Sequence, residues 1–491
     1  MPYERLSSQD ATLRCAETPV SPLQIGALCL FEAEPLIDDA GRLRLDELRG
    51  HIESRLRSIP RFRQKVLNAP WGQGRPVWVD DQSFDIANHV RSAALPRPGG
   101  PAELRAFMVT LLEAPLDRSR PLWEMWFVEG VEGGRIAVVP KVNHVMADGM
   151  AVLESTFSIL DLESRTYPET PPPWEPAALP RPGQLFLDAL TDQVQRPIDL
   201  GRRVLAGLSH PARVVGGMRT LAKVVRSTAV LAPKLSITHP VGPHRDFAWV
   251  PLPLEDLRKV AQAQRVTLND VVLSIVAGAL GHYLGEGAER ESVCPCVLVP
   301  VSAHDRPGEA ENLFSMMIAD LPPGALDPIS RLRATHAEMT ARKTSGQTMI
   351  GPLLFALGGL VAPWLLRAFA AEVLKRQPFV NLAVTNLPGT DAPVYLLGSR
   401  LLELFPFVTV AGNVALIIGV LSYNGTLGVG LTADADVIGA LDRLADGVQL
   451  ATAELIAIAR PARSLHRSGC ADRADGGTQV VADTGRGRVS G

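Results

Sequence analysis

The stretch Asn143-His144-Val145-Met146-Ala147-Asp148-Gly149 stands between two segments with different hydrophobic patterns. Before it, Arg135 to Val142 is short, apolar and rich in β-branched residues, which predicts a buried strand. After it, Met150 to Leu162 places apolar residues mostly at helical spacing, which predicts a helix. The sequence therefore predicts that His144 lies where a core strand ends. An imidazole held there can take up a proton near neutral pH.

The composition is typical of a folded protein with a large core. The chain has 491 residues, of which 46% are hydrophobic and 21% charged, enough for two or three domains. A net charge of -3 gives no reason to expect nucleic acid as a partner. Five scattered cysteines favour a reducing, intracellular setting, and residues 1–20 lack the pattern of a signal peptide, so we expect a protein that is not secreted.

Three further motifs lie along the chain. Pro121-Leu122-Trp123 opens an alternating strand of a hairpin that leads to His144, and its aromatic residue is expected to face the core. Thr267-Leu268-Asn269-Asp270 predicts a capped helix start, since Thr267 and Asp270 have the spacing of a capping box. Asn386 follows a strand predicted from Asn381 to Val384, so its amide either reaches a ligand or caps a turn.

Other segments bear on membranes and on domain boundaries. Residues 167–183 are rich in proline and predict an exposed linker. The basic segment from Arg196 to Lys234 predicts either helices on an anionic membrane surface or a solvated inter-domain helix pair. Met349 to Leu366 has no charged residue, but its prolines and glycines favour an apolar wall, an acyl tunnel or a membrane-dipping helix over a simple span.

Signatures of other chemistries are missing from the sequence. There is no GxSxG elbow, P-loop, Rossmann fingerprint or HExxH motif. His239 and His244 have no third ligand nearby in sequence, so we expect no metal site.

Together these motifs resemble the bacterial wax ester synthase/diacylglycerol acyltransferase family of the CoA-dependent acyltransferase superfamily. The family pattern is His-His-x-x-x-Asp-Gly, and here Asn143 replaces the first His, whereas His144, Asp148 and Gly149 match. Pro-Leu-Trp, Asn-Asp and Asn-x-Pro-Gly follow in the family's order, and the resemblance covers roughly residues 3 to 458.

The resemblance implies an α/β (α+β) fold. It predicts two chloramphenicol-acetyltransferase-like domains with mostly antiparallel sheets flanked by helices, and an active-site channel between them. We expect an N-terminal acyltransferase domain at 1–166, a linker with basic inter-domain helices at 167–246, a C-terminal domain at 247–460 and a disordered tail at 461–491.

The implied activity is that of an acyl-CoA-dependent O-acyltransferase that makes triacylglycerol from diacylglycerol, wax ester from a long-chain alcohol, or both. His144 is the implied general base, Asp148 orients the loop by pairing with an arginine, and Gly149 permits the turn. The candidate residues for lining the site are Asn143, Asn386, Asn269 and Asp270. Because asparagine cannot act as a base, we expect Asn143 to alter the rate or the acceptor preference without abolishing activity.

The resemblance implies no cofactor, with acyl-CoA as a co-substrate. The expected location is cytoplasmic, at the periphery of a membrane or a lipid droplet. Two alternatives stay open: a superfamily acyltransferase with a non-lipid acceptor, and a non-catalytic lipid-binding homologue.

Overall fold

The computed structural model describes residues 3–70, 74–146, 156–164, 173–188, 191, 231–285, 288–301, 315–344, 372 and 374–459. Several predictions from the sequence fall outside these residues. They concern Asp148, Gly149, nearly all of the basic segment, the apolar stretch 349–366 and the tail.

The first sheet is built around the strand that ends at Asn143. Its six strands run in the order β12-β13-β2-β7-β6-β5, and all neighbours are antiparallel except β5 and β6. The strands are β2 (Gln24–Glu32), β5 (Val90–Ala94), β6 (Trp123–Val131), β7 (Arg135–Asn143), β12 (Tyr395–Leu396) and β13 (Ser399–Val408). Because both faces of the central strands are covered, β7 is buried from its second residue to its last, as its apolar sequence predicts.

The second sheet belongs to the C-terminal half and has the order β10-β9-β11-β14-β15-β8. Only β11 is parallel to its neighbours. Its strands are β8 (Arg245–Pro253), β9 (Cys296–Val301), β10 (Ser315–Asp320), β11 (Leu382–Leu387), β14 (Leu416–Tyr423) and β15 (Thr426–Asp434). A small third sheet contains β1 (Glu4–Arg5), β3 (Gln64–Leu67) and β4 (Val77–Asp80).

Helices flank the sheets. They are α1 (Ser8–Ala16), α2 (Leu45–Arg55), α3 (Pro101–Glu113), α4 (Leu254–Gln264), α5 (Leu268–Leu284), α6 (Ala288–Ser292), α7 (Pro328–Thr344) and α8 (Leu441–Ala459). Helix α5 is buried continuously from Asp270 to Gly281, and it forms the centre of the C-terminal core with α4, α8 and the second sheet. The predicted capping box at its start is confirmed, because Thr267 and Asp270 bond each other's backbone N–H groups.

The two sheets meet at strand β13. This strand comes from the C-terminal half of the chain but pairs with β2 of the first sheet. Phe405 and Phe407 of β13 pack with Phe247 of β8 in a cluster between the sheets. Two glycines of β15 allow the close approach: a Cβ on Gly428 would lie 1.9 Å from the Leu404 carbonyl oxygen, and one on Gly430 would lie 1.9 Å from that of Pro406. No local pattern in the sequence predicts this crossing.

The structure tests the sequence signals of single elements one by one. The sequence Asn424-Gly425 is a hairpin-turn signal, and the structure bears this out: β14 and β15 are joined by these two residues, whose φ angles of 44° and 83° suit a type I′ turn. The prediction that Asn386 follows its strand is wrong, because parallel pairing with β14 carries β11 through Asn386 to Leu387. The described part of the proline-rich linker is tethered, since Trp174 stacks with the Arg63 guanidinium at 4.9 Å.

Within the described parts of the chain, no single helix has the length and apolar character needed to cross a bilayer. Helices α4 and α5 meet that criterion only as a pair, with a bend of 104° between them.

Candidate active site

The backbone fixes His144 at the end of β7. The His144 N–H donates to the Leu23 carbonyl at 2.8 Å, and the Met146 N–H donates to the Asn143 carbonyl at 2.9 Å, which closes a turn around His144. Val145 and Met146 are buried in the core of the first sheet, whereas His144 is only half-buried. A histidine held by a buried turn but still accessible is arranged as a general base requires.

Asn143 points into the protein. Its side chain is buried, with Oδ1 accepting the Val145 N–H at 3.0 Å and Nδ2 donating to Glu17 Oε1 at 2.9 Å. Glu17 in turn pairs with Arg118 at 3.0 Å. These bonds give Asn143 a defined role in the turn that carries His144, and the amide orientation follows from them, since only an N–H can donate to a carboxylate.

A buried lysine lies beneath the same turn. Lys141 is 1% exposed, and its Nζ donates to the Leu111 and Ala114 carbonyls at the end of α3. Gln24 Nε2 donates to the same Ala114 carbonyl at 3.1 Å. Burial lowers the pKa of Lys141, although Glu124 at 3.9 Å opposes this. Sequence reasoning missed this lysine, and its charge inside an apolar strand is the signal that could have revealed it.

Helix α1 brings a second acidic group toward His144. Asp10 lies in its first turn, where Oδ2 accepts the Ser7 hydroxyl at 2.7 Å. Burial raises the pKa of Asp10, and the Ser7 hydrogen bond and the charge of His144 counteract the rise. The charge of His144 thus couples the turn electrostatically to the Asp10 carboxyl at the start of α1. No local pattern in the sequence marks Asp10 as part of the site.

The structure brings two predicted site residues of the C-terminal half together. Asn386 Nδ2 donates to Asn269 Oδ1 at 3.3 Å, although 117 residues separate them. Asp270 is turned inward: its Oδ2 accepts the Thr267 N–H at 2.9 Å and is 2.8 Å from His336 Nδ1. The structure therefore brings Asn269 and Asn386 together, whereas Asp270 holds the helix start and His336. A role of Asn269 and Asn386 in lining the site stays a prediction.

The ends of β11 and β14 pack into the same core as the turn that carries His144. Leu387 and Leu421 belong to the same hydrophobic cluster as Val145 and Met146. The strand that carries Asn386 and the turn that carries His144 thus share one packed core. The contacts of Asp148 and Gly149, including the expected arginine partner, lie outside the described residues.

Two conspicuous aromatic residues of the sequence are structural. Trp123 of the Pro-Leu-Trp motif is buried, as predicted, and its Nε1 donates to the Phe62 carbonyl at 2.7 Å. His89 stacks on Trp123 at 4.6 Å and is 2.8 Å from the Trp123 carbonyl through Nδ1. Burial lowers the pKa of His89.

Among the residues that the structure describes, no group of three His, Cys, Asp or Glu side chains is placed to hold a metal ion. His244 instead lies 3.0 Å from Asp436.

Models of two protein domains match the chain. The model described as the wax ester synthase/diacylglycerol acyltransferase catalytic domain matches residues 6–272, which include Asp10, Asn143, His144 and Asn269. The model of the corresponding C-terminal domain matches residues 310–455, which include Asn386. A Mycobacterium tuberculosis protein with the provisional name diacylglycerol O-acyltransferase is 32% identical over 468 residues, covering 92% of this chain and 90% of that protein.

Solved structures show the same fold. The wax ester synthase/diacylglycerol acyltransferase from Marinobacter aquaeolei VT8 has a TM-score of 0.63 and 24% identity, and the match covers 93% of this chain and 100% of that one. A mutant starter condensation domain of rhizomide synthetase, in complex with C8-CoA and Leu-SNAC, has a TM-score of 0.54 and 14% identity, covering 95% and 97%. The predicted two-domain fold with mostly antiparallel sheets flanked by helices is confirmed.

Proposed function

The chain belongs to the wax ester synthase/diacylglycerol acyltransferase family, and we propose that it transfers an acyl group from acyl-CoA to the hydroxyl of diacylglycerol. The observation that carries the proposal is the placement of His144, which is accessible on a turn fixed between a buried strand and the core. Acyl-CoA as the donor is supported by a condensation domain of the same fold that was solved with C8-CoA.

The reaction requires one base. In the proposed step, the neutral imidazole of His144 takes the proton of the acceptor hydroxyl while the oxygen attacks the thioester carbonyl. The tetrahedral intermediate collapses, the carbon–sulfur bond breaks, and the CoA thiolate recovers the proton from the imidazolium. The products are the ester and free CoA, and no acyl-enzyme forms. A positioned general base of this kind contributes about 10²- to 10⁴-fold to the rate.

The oxyanion of the intermediate needs hydrogen-bond donors. We propose Asn386 as one of them. An asparagine amide carries two N–H groups, and the bond to Asn269 Oδ1 engages one of them. Removing a single oxyanion donor costs about 10²- to 10³-fold in kcat in well-studied enzymes.

The acceptor is proposed to be diacylglycerol because the mycobacterial relative carries that activity in its name. A long-chain alcohol is the second candidate, because the family and its Marinobacter member are also named for wax ester synthesis. Both acceptors are confined to lipid phases, so we propose that the protein works at the periphery of a membrane or lipid droplet. Vesicles that contain diacylglycerol should then carry the protein upward in a flotation gradient.

The test is CoA release from palmitoyl-CoA by the purified full chain, with dipalmitoylglycerol or hexadecanol presented in vesicles. CoA release that depends on dipalmitoylglycerol supports the proposal. Release with hexadecanol but not with dipalmitoylglycerol would identify a fatty alcohol as the acceptor. Release only with a soluble alcohol would establish a non-lipid acceptor. Vesicle binding by folded protein without any release would overturn catalysis in favour of a lipid-binding role.

A further inference from the structure

The family's first histidine is replaced here by an asparagine that does not face solvent. Asn143 is 2% exposed, and both ends of its amide are engaged. Oδ1 accepts the Val145 N–H, on the far side of His144 from Asn143 itself. The side chain therefore bridges the peptide units on either side of His144 and defines the conformation of the residue between them.

Glu17 holds the other end of this amide. It caps the C-terminus of α1, and its side chain is 6% exposed. One carboxylate oxygen accepts from Asn143 Nδ2 at 2.9 Å, and the other pairs with Arg118 at 3.0 Å. Burying the Glu17 carboxylate costs solvation free energy, and its hydrogen bond to Asn143 and its ion pair with Arg118 offset that cost.

We propose that Glu17 is a positioning residue for His144, acting through Asn143. The inference rests on the proposed role of His144 as the base. Without the Glu17 acceptor, the Asn143 amide loses the bond that orients it, and its hold on the Val145 N–H weakens. The His144 turn then samples other conformations. Displacement of a catalytic group by about 1 Å costs up to about 100-fold in rate.

The same geometry explains why asparagine is tolerated at position 143. The position requires one acceptor toward Val145 and one donor toward Glu17, and it requires no basicity. Asparagine offers both, and so does a neutral imidazole, which has one N–H and one bare nitrogen. Asn143→His should therefore retain kcat within a few-fold, and the residue at 143 acts as an anchor of the turn.

Arg118 provides the matched control. Its side chain is 55% exposed, and it contacts the Glu17 oxygen that does not face Asn143. Arg118→Ala removes the ion pair but leaves the Glu17–Asn143 bond in place. We expect its kcat to stay within about two-fold of wild type, because the Glu17 oxygen that holds Asn143 keeps its bond.

The experiment compares the full-length wild type with Glu17→Ala, Asn143→Ala, the double variant, Glu17→Gln and Arg118→Ala. kcat and KM for palmitoyl-CoA are measured per folded enzyme, and urea unfolding gives the stability of each variant. We expect Glu17→Ala and Asn143→Ala each to lower kcat by about 10- to 100-fold with KM within about two-fold. The double variant should lose no more than Asn143→Ala alone, because that change already removes the Glu17–Asn143 bond together with the bond to Val145. Glu17→Gln, whose amide oxygen can still accept, should recover most of kcat.

Two results would overturn the inference. One is a Glu17→Ala enzyme with wild-type kcat per folded molecule. The other is a double variant whose loss in kcat equals the product of the single losses, as two unrelated effects would give. Asn143→Ala removes the same bond from the other side, so an unfolded Glu17→Ala variant does not end the test. His144→Ala in the same assay separates the proposal that His144 is the base from the proposal that Glu17 positions it. If His144→Ala keeps wild-type turnover, then His144 is not the base.

Discussion

The charge of Asp10 beside His144 is the single-residue feature with the clearest consequence for pH dependence. A carboxylate near an imidazole favours the protonated form of the imidazole, whereas a general base must be deprotonated before it can act. The two groups are coupled, since the charge of His144 lowers the pKa of Asp10. Its own pKa is raised chiefly by burial, so its ionised form is disfavoured in the folded protein.

Asp10→Asn should move the acid limb of the kcat/KM profile to lower pH, because the negative charge next to His144 is lost while the side-chain shape is kept. The measurement is the pH dependence of CoA release between about pH 5 and 9, a range chosen to bracket the ordinary histidine pKa. Asp46→Asn is the control, since Asp46 is also a first-turn acid of a helix but its side chain is 97% exposed. If the acid limb of the kcat/KM profile does not move, Asp10 serves only the first turn of α1.

The effect of pH on stability through Asp10 is opposite to that of a carboxylate whose pKa is lowered in the folded state. A carboxyl with a raised pKa in the folded state contributes less favourably to the free energy of unfolding as pH rises through that pKa. Asp10→Asn should therefore leave the free energy of unfolding at pH 7 unchanged or slightly higher. If Asp10 served only as a negative charge at the N-terminus of α1, the change would instead lower the free energy of unfolding by about 0.3–1 kcal/mol, which urea unfolding can distinguish.

Among the elements, those with local signals were predicted and those with distant partners were not. Strand β7, helix α5 and the β14–β15 hairpin have their periodicity, cap or turn residues within a few positions. Strand β13 pairs with β2, more than 360 residues away, as in the pairing of Val408 with Ile25. No local pattern encodes such a partner. The site divides in the same way: a compact motif marked His144, but the Asn143–Glu17 hydrogen bond and the electrostatic coupling of Asp10 to His144 exist only after folding.

The crossing of β13 over β15 predicts a stability effect at Gly428. A Cβ at this position would lie 1.9 Å from the Leu404 carbonyl oxygen, so the strands must separate to admit it. Gly428→Ala should lower the free energy of unfolding by about 1–3 kcal/mol, the usual range for overpacking. The measurement is urea unfolding followed by circular dichroism.

Gly50→Ala is the matched control. Gly50 lies inside α2, and nothing stands within 4 Å of its added Cβ. Alanine is the better helix former, so this variant should be more stable by about 0.5–1 kcal/mol. If Gly428→Ala were as stable as Gly50→Ala, β15 and β13 would not pack as closely as the structure has them at Gly428 and Leu404.

The whole molecule is organised so that the two halves of the chain share one core, which includes the turn that carries His144. Strand β13 inserts into the first sheet, Phe247 packs on it from the second, and Leu387 and Leu421 reach the cluster that contains Val145 and Met146. The half that carries Asn386 and the half that carries His144 are therefore held together independently of substrate. We expect acyl transfer to need both halves but only one base.

The most direct measurement of that claim is triacylglycerol formation from labelled palmitoyl-CoA and dipalmitoylglycerol in vesicles, by wild type and by His144→Ala. Circular dichroism and urea unfolding establish that both proteins are folded. We predict that the variant loses about 10²- to 10⁴-fold in turnover, the contribution of a positioned general base. A folded His144→Ala protein that forms triacylglycerol at a near wild-type rate would contradict the assignment of His144 as the base.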